Sequence, residues 1–363
     1  MGMKFWKVIL ADLKSGWGFT RRCLRLIVFS MKIYCELFLI WARAGFSPVL
    51  LAHGSLGDQF LAASLLDEYV SRNGRTLVII SSSYQRVFDL FVEQRDVVLL
   101  GLSERRCQRL TECWQIVFDM LSPVSRGNWL SPTFRLRPMH VVRYPGPSNA
   151  VAAYMRGGDG LHQMAAQRKV LNLPLDGYGK RPKYTTLDES EAHILFKPIT
   201  NDLSKVALIS PICYTHHNMD SGSWLSVAKA LERDGFIVVF NVAGNVGTKD
   251  LSGQIVPSEF PSIKIPAHLA PKVGTLCGLI CGRVGGGFFI FQSILRPRRS
   301  LLVVLNQDDS VPLHSRDPPA QVVLKSCAEF FGNDVDHVAV LEATDRGVII
   351  EEKISRSLQI TVR

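Results

Sequence analysis

The sequence predicts an α/β protein of two parallel-sheet domains, with a helical extension at the amino end. Three observations carry this. Short apolar runs without polar alternation, such as "PVLLA" and "TLVIIS", read as strands buried on both faces. Stretches of helical periodicity separate them over short connections, the pattern of a parallel sheet covered by helices. The alternation lapses in mid-chain and restarts after Lys205, and 363 residues with 47% hydrophobic content exceed one ordinary domain.

Residues 1–47 form the extension, in which Lys4, Lys7, Lys14, Arg21, Arg22, Arg25, Lys32 and Arg43 face only Asp12 and Glu36. Its apolar run, "LRLIVFSMKIYCELFLIWA", is broken by Arg25, Lys32 and Glu36, too many charges for a spanning helix, and no small-residue cleavage site follows it. A basic amphipathic helix fits better. It would lie on an anionic inner leaflet, with Trp6, Trp17, Phe19 and Trp41 as anchors, or pack on the protein's own first domain.

Residues 48–198 form the first domain. After the strand "PVLLA", Phe60, Leu61, Leu65, Tyr69 and Val70 fall at helical spacing and Asn73-Gly74 stops the helix. "TLVIIS" is a strand, "YQRVFDLFVE" a helix and "DVVLLG" a strand. From about Ser122 the chain is irregular, with a helix expected over "LHQMAAQRKVLNL" and a connector over "LPLDGYGKRPKYTTLDESEA". Residues 199–363 form the second domain. "VALISP" is a strand, "SGSWLSVAKALERDG" a helix closed by Gly235, "FIVVFNV" a strand and "AHLAPKVGTLCG" a helix; "LICGRVGGGFFIFQSIL" and the strand "SLLVVLN" follow.

The formal charge of +10 favours an anionic partner, whether a phosphorylated small molecule, a nucleic acid or an acidic membrane. Nucleic acid is set aside, because the cations cluster at the amino end and no reader motif appears. Eight cysteines without a CxxC pair read as reduced, mostly buried thiols, and no metal is expected.

Two glycine turns directly follow apolar strands, where ligands of open α/β sheets collect. In "HGSLGDQF", Gly54 and Gly57 allow close backbone approach, Ser55 can donate a hydrogen bond, and Asp58 has two readings. It caps the following helix, worth about 1 kcal/mol, or it takes a proton from a bound hydroxyl as general base. The spacing is neither G-x-G-x-x-G nor a phosphate loop. In "GRVGGG", the amides of Gly285, Gly286 and Gly287 at a helix start can cradle a diphosphate that Arg283 neutralises, or the glycines serve tight packing between strand and helix. Thr215 and His216, with His217 beside them, follow the strand "VALIS"; Arg143 follows "HVV" and can meet an anionic acceptor.

"SLGD" followed by a helix of small and apolar residues resembles the opening of the ADP-heptose:lipopolysaccharide heptosyltransferases and related GT-B glycosyltransferases. The second half is similar to that family in its strand, Pro-led loop, helix and strand, marked here by Pro211, Trp224, Leu231 and Gly244. The resemblance spans about residues 48 to 310. It implies two Rossmann-like domains facing across a cleft, with the acceptor (Ser55, Gly57, Arg143) on the first and the nucleotide-sugar (Thr215, His216, Arg283, Gly285, Gly286, Gly287) on the second. It makes Asp58 the base of an inverting transfer. The sequence departs from the family at the first loop of the second domain, which lacks the usual cation, and at "GRVGGG", which replaces Asp-Ser/Thr-Gly and a histidine.

The function so expected is transfer of a sugar from a nucleotide-sugar to a glycan or lipid-linked acceptor in bacterial surface polysaccharide synthesis. It would occur in the cytoplasm or on the inner face of the plasma membrane. The nucleotide-sugar is a substrate and no cofactor is expected. Metal independence is expected too, since no clear Asp-x-Asp motif is placed to hold a metal on the donor diphosphate. A nucleotide-sugar epimerase of the same architecture and an inactive subunit of a polysaccharide assembly complex remain as alternatives.

Overall fold

The computed structural model describes residues 28, 31, 35, 39, 42, 49–52, 56–93, 96–107, 109–110, 140–142, 168, 171, 173–212, 218–242, 255–307, 317 and 319–359. The first half contains β1 (Val49–Ala52), α1 (Leu56–Asn73), β2 (Thr76–Ser81), α2 (Gln85–Asp89), β3 (Val97–Leu102) and β4 (His140–Val142). Phe60, Leu61, Leu65, Tyr69 and Val70 of α1 are buried, as their spacing requires. The helix stops where Gly74 takes φ of 75°, a left-handed conformation that costs glycine little. The helix expected over "YQRVFDLFVE" is shorter than its sequence, five residues behind a 3₁₀ turn at Ser82–Tyr84.

The second half runs α3 (Thr186–Phe196), β5 (Val206–Ser210), α4 (Ser221–Arg233), β6 (Ile237–Asn241), β7 (Ser262–Ile263), α5 (Ala270–Leu276), β8 (Leu279–Arg283), α6 (Gly286–Ser293), β9 (Ser300–Asn306), α7 (Ala320–Phe331), β10 (His337–Glu342) and α8 (Val348–Gln359). Helix α3 starts inside the stretch read as a connector. Thr185 and Asp188 form a reciprocal capping box there, satisfying two backbone amides that the helix cannot.

Both sheets are parallel throughout. The first has the order β3-β2-β1-β4 and the second β10-β9-β8-β5-β6-β7. Counted from β5, the second reads 3-2-1-4-5-6 from one edge, the Rossmann order, and the first reads 3-2-1-4, the same order without its last two strands. The chain is therefore two Rossmann-like α/β units.

The strands of the second unit alternate faces with a period of two. Val206, Leu208, Ile280, Leu302 and Val304 join one core; Ala207, Ile209, Leu279, Cys281, Leu301 and Val303 join the other, beneath α4 and α8. Trp224 of α4 lies edge-on to Phe240 in that second core. The first core is not confined to one unit. It runs from Leu50 and α1 through Val273, Phe288 and Phe291 to Val335, and α1 packs against α6.

The connector locks this arrangement. Lys180 pairs with Asp67 and Glu93, and its N–H donates to the Ser64 carbonyl at 2.9 Å. A Cβ at Gly179 would stand 2.4 Å from Ser64 Oγ and 2.9 Å from Phe331, so only glycine passes between α1 and α7. The Tyr184 hydroxyl donates to the His268 carbonyl at 2.8 Å. Beside it, Glu191 of α3 lies 3.2 Å from Arg86 of α2 and 3.7 Å from His268 Nε2.

Candidate functional site

An open α/β sheet binds ligands beyond the carboxyl ends of its strands, where the strand order reverses. In the first unit the reversal lies between β1 and β4, whose last residues Ala52 and Val142 are in register; in the second it lies between β5 and β8, where Ser210 pairs with Gly282. Helix α1, whose first turn holds Gly57 and Asp58, is the next described element after β1, and Gly285 and helix α6 follow β8. Each glycine turn thus leaves a strand that borders its sheet's reversal.

Ser55, Arg143, Thr215 and His216 lie outside the described residues. Gly57 and Asp58 are the second and third residues of α1, which begins at Leu56. Asp58 is therefore not the helix cap. The cap position falls one residue before Leu56, and an acid in the first turn instead meets the positive end of the helix dipole, worth about 0.3–1 kcal/mol.

Around the second turn the structure is fuller. Gly285 is extended, with φ of 166°, and supplies no side chain to cap α6. The first intrahelical bond runs from Phe289 N–H to Gly285 C=O at 3.2 Å, so the N–H groups of the first turn have no partner within the helix. No acid occupies that turn. A Cβ at Gly287 would stand 2.8 Å from Ser210 Oγ, and one at Gly282 would stand 2.9 Å from Ser210 O and 3.0 Å from Phe288. Close packing between strand and helix therefore holds at Gly282 and Gly287, at a helix start that carries no acid.

Arg283 behaves differently from its sequence reading as a free cation. It ends β8 with 1% of its surface exposed, and Nη2 donates to Asp317 Oδ1 at 2.5 Å. Asp317 Oδ2 accepts the Leu305 N–H at 2.8 Å, which ties the chain after β9 back onto the sheet. The aspartate, 34 residues away in sequence, cancels the arginine's charge. Nε and Nη1 of Arg283 remain buried without a hydrogen-bond partner. Both side chains of the pair are fully buried, so in this structure Arg283 faces Asp317 inside the unit and not an open cleft.

One Asp-x-Asp does occur, at Asp334–Asp336. It lies at the amino end of β10, and Asp336 Oδ2 accepts from Ser300 N–H and Oγ at 2.8 and 2.9 Å. It is a strand-pairing clasp at the sheet end opposite the glycine turns. Among the described residues the thiols of Cys107, Cys277 and Cys281 are buried and outside any disulfide. Burial pushes Cys107 up to about 11 and raises Cys277 and Cys281 as well, leaving them inert at neutral pH.

No protein-family model matches this sequence, and no curated protein matches it. Among solved structures the chain is similar to the ADP-heptose lps heptosyltransferase II of E. coli, at 10% identity over 86% of this chain and 97% of that one, with a TM-score of 0.48. It is also similar to a glycosyl transferase family 9 protein of Veillonella parvula, at 12% identity over 86% and 96%, with a TM-score of 0.49. A third is Arabidopsis thaliana UGT89C1 complexed with UDP-L-rhamnose, at 11% identity over 87% and 89%, with a TM-score of 0.45. These likenesses are too distant to assign chemistry, which rests on the residues themselves.

Proposed function

We propose that the protein is a glycosyltransferase that moves a sugar from a nucleotide-sugar held by the second unit to a glycan or lipid-linked acceptor held by the first. One observation supports this above others: both sheets reverse strand order beside a glycine turn, one turn carrying an acid and the other only amide donors. An acid at one such corner suits a proton acceptor, and a dipole end without acids suits a diphosphate.

In this reading the acceptor hydroxyl, positioned by Ser55, Gly57 and Arg143, gives its proton to Asp58. Its oxygen attacks the anomeric carbon, the bond from that carbon to the diphosphate oxygen breaks, and the configuration inverts. The charge that builds on the leaving diphosphate is met by the amides at Gly285, Gly286 and Gly287 and by Thr215 and His216. Neutral donors suffice for this, so the proposed transfer is metal-independent. Bacterial surface polysaccharide synthesis at the inner face of the plasma membrane is the setting proposed.

The test is a nucleotide-sugar screen by thermal stabilisation, followed by product analysis with the donor that binds. The expected result is stabilisation by one donor in both the parent protein and Asp58→Asn, with transfer at least ~100-fold slower in the variant. Conversion of the donor without acceptor would move the assignment to an epimerase. Stabilisation without turnover in the parent protein, across acceptors, would make it a binding subunit.

A further inference from the structure

Two α/β units joined by a connecting segment are expected to hinge, unless their contact is large and apolar or the segment itself is fixed. Here the segment is fixed. Residues 178–184 form neither helix nor strand, yet they bond to both units in turn. On the first unit, the Lys180 N–H donates to the Ser64 carbonyl of α1 and the Lys183 N–H to the Leu90 carbonyl at the end of α2, both at 2.9 Å. On the second, Arg181 Nη2 donates to Asn333 Oδ1 at 3.4 Å, just after α7, and the Tyr184 hydroxyl donates to the His268 carbonyl at 2.8 Å. Gly179 stands between the two, because a Cβ there would meet Ser64 of α1 and Phe331 of α7 at once.

A loop that opens easily has few buried contacts and backbone amides that face water. This one has its amides on the carbonyls of the first unit and its side chains on the second. Its charges are held as well: Lys180 Nζ lies between Asp67 and Glu93, and Lys183 Nζ reaches Glu93 from the other side. The apolar contact of α1 with α6 runs across the same junction, within one continuous core.

We infer that residues 178–184 are a staple and not a hinge. They fasten α1 and α2 of the first unit to α7 and the 3₁₀ turn at Ala267–Leu269 of the second, so the units move as one body. The distance between their glycine corners is then set by the fold and not by a ligand. The inference is independent of sugar transfer, since it concerns the ligand-free chain.

The experiment is native-state hydrogen exchange of the full chain without ligand, at rising urea below the melt, with mass-spectrometric fragmentation that resolves single amides. Connecting segments ordinarily exchange through small local openings that urea barely changes. The expected result here is the opposite: the amides of Lys180 and Lys183 exchange with the urea dependence of β1 and β8, by global unfolding. Gly179→Ala, whose methyl has no room between the helices, should move both amides to a local opening and speed their exchange at least ~10-fold. Tyr184→Phe removes one hydroxyl without disturbing the packing, and should speed Lys183 about fivefold. Local, urea-insensitive exchange of both amides in the parent, while β1 and β8 stay protected, makes the segment a hinge and overturns the inference. So do separate urea transitions for the two sheets, or parent-like exchange at both amides in Tyr184→Phe and in Gly179→Ala.

Discussion

The two glycine corners begin alike, each following a buried strand beside a reversal of strand order, and then diverge. The first opens an 18-residue helix with an acid as its third residue; the second opens an eight-residue helix with no acid in its first turn. Beneath the second, the one cation is already matched by Asp317. The contrast teaches that the one arginine at the second corner belongs to the interior: its charge is spent on Asp317, so an anion bound there, as proposed, would meet backbone amides.

Four experiments break or sharpen this comparison. The largest effect is expected from Arg283→Met, which strands the Asp317 carboxylate in the interior and should destabilise the fold by about 3–5 kcal/mol, read in urea melts. Adding Asp317→Leu should recover most of it. If Arg283→Met melts like the parent, the pair is not the internal anchor described. Next is Asp58→Asn, with a loss of ~100-fold in turnover, about 2.7 kcal/mol, and an unchanged donor affinity by calorimetry. A parallel loss of donor affinity would mean that the acid serves the second corner and not the first.

Gly287→Ala comes third. Its methyl would press on Ser210 Oγ, at a cost of about 1–3 kcal/mol in stability that Ser210→Gly should relieve. Additivity of the two changes would refute the contact. The smallest effect is at the junction holding the corners in relation. Burial lowers the pKa of His268 below its usual 6.5, with Arg86 adding to the effect, while Glu191 and Asp188 oppose it. The unfolded chain therefore takes up the proton first. The stability contributed by His268 is fully present above pH 6.5 and is lost as pH falls through the lower folded value. Melting temperature measured from pH 7.5 to 5 should fall less steeply in His268→Gln; an identical slope would sink this account (buffers chosen about one unit either side of the ordinary histidine range).

Most of the frame is legible locally. Apolar runs became β1, β2, β5, β6, β8 and β9, and Gly74 and Gly235 stop their helices with φ of 75° and 87°. Helix α3 escaped although Thr185 and Asp188 stand at capping-box spacing, because proline and glycine just before them dominate the stretch. No element was expected beyond β9, yet Ile350, Ile354 and Leu358 of α8 recur every four residues and are all buried. The partner of Arg283 is another kind of omission. No local pattern couples residues 34 apart, and only the closed sheet brings Asp317 to the end of β8. Of the two readings of Asp58, the cap misses, because aspartate is favoured both at the cap and in the first turn and the helix starts at Leu56.

The apolar core that runs without a break from Leu50 to Val335 sets how this molecule can be divided. A cut through the connector would expose the buried flanks of α1 and α6 together, so severed halves should precipitate where the intact chain dissolves. Heating should melt both sheets as a single cooperative block.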